Sequence, residues 1–131
     1  MKILMAEDDF TSRVILQTLL APYGDVHIAI NGREALKAFN SAEAMGEPYE
    51  LICLDIMMPE MDGQEVLQAI RKSESARGVR IGEGVKVLMT TALTDSSNIL
   101  MAFREQCDGY LVKPFQRSKL EEHLKKFAQA A

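Results

Sequence analysis

Polar side chains follow four apolar segments of this sequence, at the points where buried strands would end. They are acids after two of the segments, threonines after a third and a lysine after the last: Glu7, Asp8, Asp9, Asp55, Thr90, Thr91 and Lys113. If the segments are parallel strands of one sheet, ligands bind beyond their carboxyl ends. The sequence therefore predicts that carboxylates from two strand ends, a hydroxyl and an ammonium group converge in one crevice.

Such a crevice has a specific chemistry. Clustered carboxylates repel one another, so the cluster is costly unless a cation neutralises it. Mg²⁺ suits the donors, because it binds one or two carboxylates plus water and phosphate oxygens at about 2.0–2.1 Å. The metal and the lysine could together hold a phosphoryl group, and a hydroxyl could bind its remaining oxygen. Positioning and charge neutralisation of this kind are what phosphoryl transfer requires.

Each of these residues also has a common structural role. An acid after a strand is often the first cap of a helix, and Asp9 is interpreted in that way. A lysine before a proline is usually just exposed, and a threonine at a strand end is usually a turn or cap residue. Their occurrence together at one sheet edge favours the functional interpretation.

Strand and helix patterns alternate along the chain. The predicted strands are residues 2–6, 26–30, 51–54, 85–89 and 110–112. Between and after them, apolar residues recur at helical spacing: Ile15, Leu16, Leu19 and Leu20; Ala35, Leu36 and Phe39; Val66, Leu67 and Ile70; Ile99, Ala102 and Phe103; Leu120, Leu124 and Phe127. Five strand–helix pairs in series predict an α/β fold with a doubly wound parallel sheet. Residues 73–84 are predicted to be a surface loop.

Composition limits the class of protein. A chain of 131 residues is expected to form one domain, residues 1–131. No apolar run approaches the roughly 20 residues of a membrane span, and no signal-peptide pattern is present, which favours the cytoplasm. The formal net charge of −4 and the scattered basic residues argue against a nucleic-acid partner. Cys53 and Cys107 lack metal-site spacing and are expected to be reduced thiols.

Four motifs resemble the receiver domain of two-component response regulators, in particular single-domain receivers like the chemotaxis response regulator. They are the acidic pair Glu7-Asp8 with Arg13, the segment 54–63 around Asp55, the segment Met89-Thr90-Thr91-Ala92, and the segment 109–115 that contains Lys113 and Pro114. The resemblance covers nearly the whole chain, and the motifs occur in the family's order. It implies a flavodoxin-like (βα)₅ fold with five parallel strands.

The resemblance also implies roles for individual residues. Asp55 would be the phosphoacceptor, with Lys113 and Thr91 completing the catalytic set. Mg²⁺ would be bound by Asp8, by the Asp55 carboxylate and by the backbone carbonyl of Met57, and Glu7 would act through a metal-bound water. Thr91 and Tyr110 would form the switch, and the Lys113–Pro114 peptide bond is expected to be cis.

As a receiver, the chain would take a phosphoryl group from a histidine kinase or a histidine phosphotransfer protein. Phosphorylation would change the face formed by the fourth helix, the fifth strand and the last helix, which would bind an unknown downstream protein or a second copy of the chain. It would not be an enzyme in the usual sense, although it would assist its own phosphorylation. Self-dephosphorylation is expected to be slow, because Met57 and Leu93 are apolar and cannot orient a water molecule.

Other protein classes fit the sequence less well. A phosphatase of the haloacid dehalogenase type would need an acid two residues after the nucleophile, where Met57 stands. A nucleotide-binding module would need a glycine-rich loop after the first strand, where acids stand instead. A pseudo-receiver that only binds proteins remains an alternative, against which the intact Asp55, Thr91 and Lys113 argue.

Overall fold

The computed structural model describes residues 1–92 and 106–129 of the chain. Five strands lie in these ranges: β1 (Lys2–Ala6), β2 (Asp25–Ala29), β3 (Leu51–Asp55), β4 (Lys86–Ala92) and β5 (Gly109–Lys113). They form one parallel sheet in the order β2-β1-β3-β4-β5. The order reverses at β1, which is the arrangement of a doubly wound, flavodoxin-like sheet. The predicted fold class is confirmed.

Helices cover both sides of this sheet. They are α1 (Phe10–Leu20), α2 (Gly32–Ala44), α3 (Gly63–Ala76) and the C-terminal helix (Arg117–Gln129), with a short 3₁₀ turn at Ala21–Tyr23. The predicted helix at Ile99, Ala102 and Phe103 lies outside the described residues. None of the described helices is both long enough and apolar enough to cross a lipid bilayer.

Side-chain caps determine where three of the helices begin. Asp9 accepts a hydrogen bond from the backbone N–H of Ser12 at 2.9 Å, as predicted for a residue that starts a helix. The Asn31 and Asp62 side chains cap α2 and α3 in the same way. Each cap satisfies a backbone N–H that has no partner within its helix. Thus α1 begins directly after the acids that follow β1.

Alternating strand residues divide the core into two layers. One layer, the α2–α3 face, contains strand residues such as Leu54 and Met89 together with Phe39 and Ile70 of the helices. The other layer, the α1 face, packs strand residues against α1 and the C-terminal helix: Ile3, Met5, Leu16, Leu19, Leu20, Leu51, Cys53, Leu88, Leu111, Leu120 and Leu124. Because successive strand residues point to opposite sides, the face of every site residue follows from this division.

Three local predictions were wrong. Ile15 is 44% exposed, because α1 turns only Leu16, Leu19 and Leu20 towards the core. The second strand ends at Ala29 rather than at Ile30, which is 49% exposed. Residues 73–76 belong to α3 rather than to a surface loop. The helix continues there because the side chain of Glu74 is buried against the backbone that precedes β4.

The two cysteines are reduced thiols in the structure, as predicted. Cys53 is fully buried on the α1 face. Burial raises the pKa of its thiol to about 12, so the reactive thiolate is not populated near neutral pH. Cys53 is therefore a small core residue.

Gly63 is a position where any side chain would disturb the segment that follows β3. A Cβ atom there would lie 2.2 Å from the backbone oxygen of Asp55, and the Gly63 N–H donates to Ile56 O at 3.0 Å. We expect Gly63→Ala to lower the free energy of unfolding by about 3 kcal/mol, since overpacking forces the backbone to move.

Gly46→Ala is a suitable control for this substitution. A Cβ atom at Gly46 meets nothing within 4 Å, and only its positive φ of 72° opposes a side chain. Its expected cost is about 1 kcal/mol, measured for both variants by urea unfolding. Equal losses of stability in the two variants would contradict the proposed clash at Gly63.

Candidate functional site

Four polar side chains lie at the carboxyl edge of the sheet on the α1 face. They are Glu7, Asp55, Thr90 and Lys113. Each stands two positions beyond a core residue of that face: Met5, Cys53, Leu88 and Leu111. Because side chains two apart on a strand point the same way, the core residues determine the direction of the site residues. The ends of β3, β4 and β5 and the residue after β1 thus meet at one point.

An ammonium group joins two carboxylates in this group. Lys113 Nζ lies 2.6 Å from Glu7 Oε1 and 3.0 Å from Asp55 Oδ2. Glu7 is completely buried, and Asp55 is 4% exposed. The other Asp55 oxygen, Oδ1, accepts a hydrogen bond from the backbone N–H of Met57 at 3.2 Å. Asp55 is thus held on one side by a cation and on the other by the backbone.

Burial and mutual repulsion shape the electrostatics of the site. Burial, with the neighbouring Asp55 carboxyl group adding to it, raises the pKa of Glu7 to about 8. Burial alone would lower the pKa of Lys113, but the carboxylates of Glu7 and Asp55 outweigh this and raise it. The single positive charge of Lys113 is therefore not enough to keep Glu7 ionised near neutral pH. A second cation would allow both carboxylates to be charged.

The donor atoms present suit a hard divalent cation. One carboxylate oxygen each from Glu7, Asp8 and Asp55 lie within 4.8 Å of one another. Asp8 is exposed and opens the cluster to solvent, whereas the other two acids are buried. Such an all-oxygen set, with one side open for water and phosphate oxygens, matches what Mg²⁺ requires. Met57, whose backbone carbonyl is the further predicted ligand, lies two residues beyond the end of β3 and is 62% exposed.

Arg13 supports the turn that carries the acidic pair. Its Nη1 donates to the backbone oxygen of Glu7 at 3.3 Å and approaches the backbone oxygen of Asp8 at 3.5 Å. The guanidinium also lies over the ring of Phe10, 5.5 Å from its centroid. Arg13 therefore stabilises the backbone of the acidic turn without touching the carboxylates through any of these contacts.

The two threonines at the end of β4 point to opposite faces. Thr91 follows Met89 on the α2–α3 face, is 1% exposed, and donates its hydroxyl to the backbone oxygen of Ala92 at 3.2 Å. Tyr110, the other predicted switch residue, packs against the same face. Thr90 instead shares the face of Asp55, to which it is paired in the strand register. The sequence placed both hydroxyls at this edge but could not separate their directions.

The remaining predicted features are placed as follows. The Lys113–Pro114 peptide bond is cis, as predicted. Leu93, which together with Met57 was predicted to slow dephosphorylation, lies outside the described residues. His123 of the C-terminal helix was not predicted to contribute, yet its Nε2 lies 2.8 Å from the backbone oxygen of Tyr110. This contact joins the predicted switch residue to the last helix, and the sequence pattern carries no signal for it.

Sequence comparison finds relatives that share this region. The chain is 37% identical over 125 residues to the "Probable transcriptional regulator ycf27" of Porphyridium aerugineum, which covers 95% of this chain and 46% of that protein. It is 30% identical over 131 residues to the osmosensing histidine protein kinase SLN1 of Saccharomyces cerevisiae, covering 98% of this chain and 10% of the kinase. The chain spans about half the length of the ycf27 relatives it matches.

Solved structures and the family model agree with these relatives. The receiver domain of the Francisella response regulator 1452 superposes with a TM-score of 0.75 at 27% identity, covering 99% of this chain and 98% of that one. The receiver domain of a histidine kinase from Syntrophus aciditrophicus gives 0.75 at 25% identity, covering 99% and 91%. The model of the response regulator receiver domain matches residues 3–125. The chain therefore belongs to the receiver domain family of two-component response regulators.

Proposed function

We propose that the chain is a phosphorylation switch that accepts a phosphoryl group on Asp55 with the help of Mg²⁺. One observation carries this proposal: a buried carboxylate at the end of a central strand has an ammonium group 3.0 Å from one oxygen and lies within a cluster of three acids. A buried acid of this kind is costly unless its charge is used. The arrangement supplies the nucleophile and the positive charge that phosphoryl transfer needs.

The residues present define the steps of the reaction. An Asp55 carboxylate oxygen attacks the phosphorus of a phosphohistidine, the O–P bond forms, and the N–P bond breaks with its electron pair remaining on the imidazole. The Lys113 ammonium then faces the phosphoryl oxygens, where it offsets their charge. Mg²⁺ would be held by Asp8, Asp55 and the carbonyl of Met57, and by Glu7 through a water molecule, and would supply the remaining charge neutralisation when bound.

The switch would act through the other face of the sheet. Thr91 now donates to the backbone of its own strand, and a phosphoryl group on Asp55 would offer its hydroxyl a stronger, charged acceptor. Movement of Thr91 would change the space beside Tyr110, which shares its face. A ligand shifts such an equilibrium only through contacts that differ between the states, and the Thr91 hydrogen bond is that contact. The fifth strand and the C-terminal helix belong to the resulting output face.

A histidine kinase or a histidine phosphotransfer protein is the proposed donor. The match to a receiver region within a histidine kinase supports this, since such kinases pass phosphoryl groups to receivers.

The downstream partner is proposed to be a protein or a second copy of the chain. We do not propose nucleic-acid binding for these residues, because their net charge of −4 opposes a phosphate backbone. Self-dephosphorylation is proposed to be slow, and the cytoplasm is the proposed compartment.

A labelling experiment tests the proposed function. With acetyl phosphate and Mg²⁺, intact-mass spectrometry should show one added phosphoryl group on the wild type and none on Asp55→Asn. Removing Mg²⁺ with a chelator should also abolish labelling, because the acidic cluster repels an anionic phosphoryl group. Asp62→Asn is the matched control, since Asn also caps a helix and Asp62 lies outside the acidic cluster. Full labelling of Asp55→Asn would refute the proposal.

A further inference from the structure

A buried hydroxyl lies on β4, at the position that the strand register pairs with Asp55. Thr90 is completely buried, and its Oγ1 has no hydrogen-bond partner within residues 1–92 and 106–129. Such a group is destabilising, because it has lost water without gaining a partner. Valine has nearly the same shape and would fill this position without that cost. The hydroxyl is therefore best explained by a state of the site in which it is used.

The strand register places this hydroxyl next to the reacting groups. On β4, Thr90 is the partner of Asp55, and Ala92 is the partner of Lys113. Lys113 starts from β5 and reaches Asp55 on β3, so its side chain has to cross β4. Thr91 points to the opposite face, so Thr90 and Ala92 are the β4 residues beneath this crossing. Thr90 is the one of them with a polar side chain.

The Lys113 ammonium keeps hydrogen-bond donors that its contact to Asp55 does not use. It carries three N–H donors and donates to Asp55 Oδ2, whereas Glu7 Oε1 lies 2.6 Å away as an ion pair without hydrogen-bond geometry. The contact to Glu7 is the shorter one, so Glu7 pulls the ammonium towards β1. A cation bound to the acidic cluster would repel the ammonium and compete with it for the Glu7 carboxyl group, which would weaken this pull. The ammonium would then be free to settle towards β4.

We propose that Thr90 is a positioning residue for Lys113: when Mg²⁺ occupies the acidic cluster, Thr90 Oγ1 accepts a hydrogen bond from the Lys113 ammonium and keeps it aimed at Asp55. This inference rests on the proposed function. It explains why a polar side chain without a hydrogen-bond partner among the described residues occupies a fully buried position of β4. It also separates the two threonines, with Thr90 acting on the lysine and Thr91 on the switch.

The test uses two substitutions that separate shape from hydrogen bonding. Thr90→Val keeps the shape and removes the hydroxyl, whereas Thr90→Ser keeps the hydroxyl and removes a methyl group. In chelator, Thr90→Val should raise the thermal midpoint by about 2–6 °C, because the unpaired hydroxyl is gone. With saturating Mg²⁺ and acetyl phosphate, its rate constant for phosphorylation of Asp55 should fall about tenfold, whereas Thr90→Ser should stay within about twofold of the wild type.

The outcomes distinguish this inference from the proposed function. A wild type that is not labelled on Asp55 overturns the proposed function and this inference together. If the wild type is labelled but Thr90→Val has the same rate constant for phosphorylation, only the role of Thr90 is overturned. The same holds if Thr90→Ser is phosphorylated slowly and Thr90→Val at the normal rate. A lower thermal midpoint of metal-free Thr90→Val also overturns it, since the hydroxyl would then be paired before any cation binds.

Discussion

Replacing Lys113 by methionine is expected to lower the rate constant for phosphorylation of Asp55 about 100- to 1000-fold. The ammonium is 3.0 Å from Asp55 Oδ2 and partly buried, so it is placed to meet the charge of an incoming phosphoryl group. Removing one preorganised donor to a developing oxyanion costs about that much in enzymes. Methionine preserves the length and the apolar part of the side chain, so that the loss reports on the charge.

Stopped-flow measurement with a small phosphodonor at saturating Mg²⁺ gives the rate constant directly. Lys119→Met is the matched control, because Lys119 lies on the C-terminal helix and its side chain is 63% exposed. That variant should retain the wild-type rate constant within about twofold, since exposed ion pairs contribute little. A rate constant for Lys113→Met within tenfold of the wild type would mean that the activation barrier had risen by only on the order of 1 kcal/mol. That result would contradict the proposed role of Lys113 in phosphorylation.

Replacing Glu74 by alanine is expected to lower the free energy of unfolding by about 3–5 kcal/mol. Glu74 is 5% exposed, with Oε1 at 2.7 Å from Arg71 Nη1 and Oε2 accepting from the backbone N–H of Val85 at 2.7 Å. Arg71 continues the network, since Nε donates to Gln106 O at 2.7 Å and Nη2 to Asp108 Oδ2 at 3.1 Å. Glu74→Ala leaves the backbone N–H of Val85 without its acceptor and removes one of the two carboxylates that pair with Arg71, and both losses contribute.

Urea unfolding with linear extrapolation measures this loss, and the slope indicates whether the denatured state has changed. Glu43→Ala is the control, because it removes the ion pair with Arg77, whose side chain is 42% exposed. That pair should contribute about 1 kcal/mol or less. Losses of similar size in the two variants would show that the Glu74 network adds no more than a surface ion pair.

The Glu74 network also holds the segment before β4. The Glu74 carboxylate and Arg71 both bind the backbone of Val85, just before β4. Arg71 also binds the backbone oxygen of Gln106, before β5. Asp108 adds a hydrogen bond from the backbone N–H of Val87 at 2.8 Å. These contacts hold the beginnings of β4 and β5, at the opposite end of the two strands from Thr90 and Lys113.

The amino-acid sequence by itself determined the strands, their parallel arrangement and most of the candidate site. Runs such as Leu51–Leu54, apolar at every position, can be buried only between two layers of helices, which is why they predict a central parallel strand. Glu7, Asp55 and Lys113 could then be assigned to one edge, because carboxyl ends of parallel strands coincide. Asp9 could be recognised as a helix cap because capping depends on neighbouring residues only.

Only the tertiary structure decided the features that depend on which face a residue points to and on what covers it. Thr90 and Thr91 are adjacent and chemically identical, and the strand register alone directs one to Asp55 and the other to the face of Tyr110. The apolar character of Ile15 predicts burial, yet it is 44% exposed. From the sequence alone, Glu74 would be a solvent-exposed acid, but in the structure its carboxylate is bound by Arg71 and by the backbone of Val85. These outcomes depend on contacts between residues far apart in the chain, which local periodicity and composition do not encode.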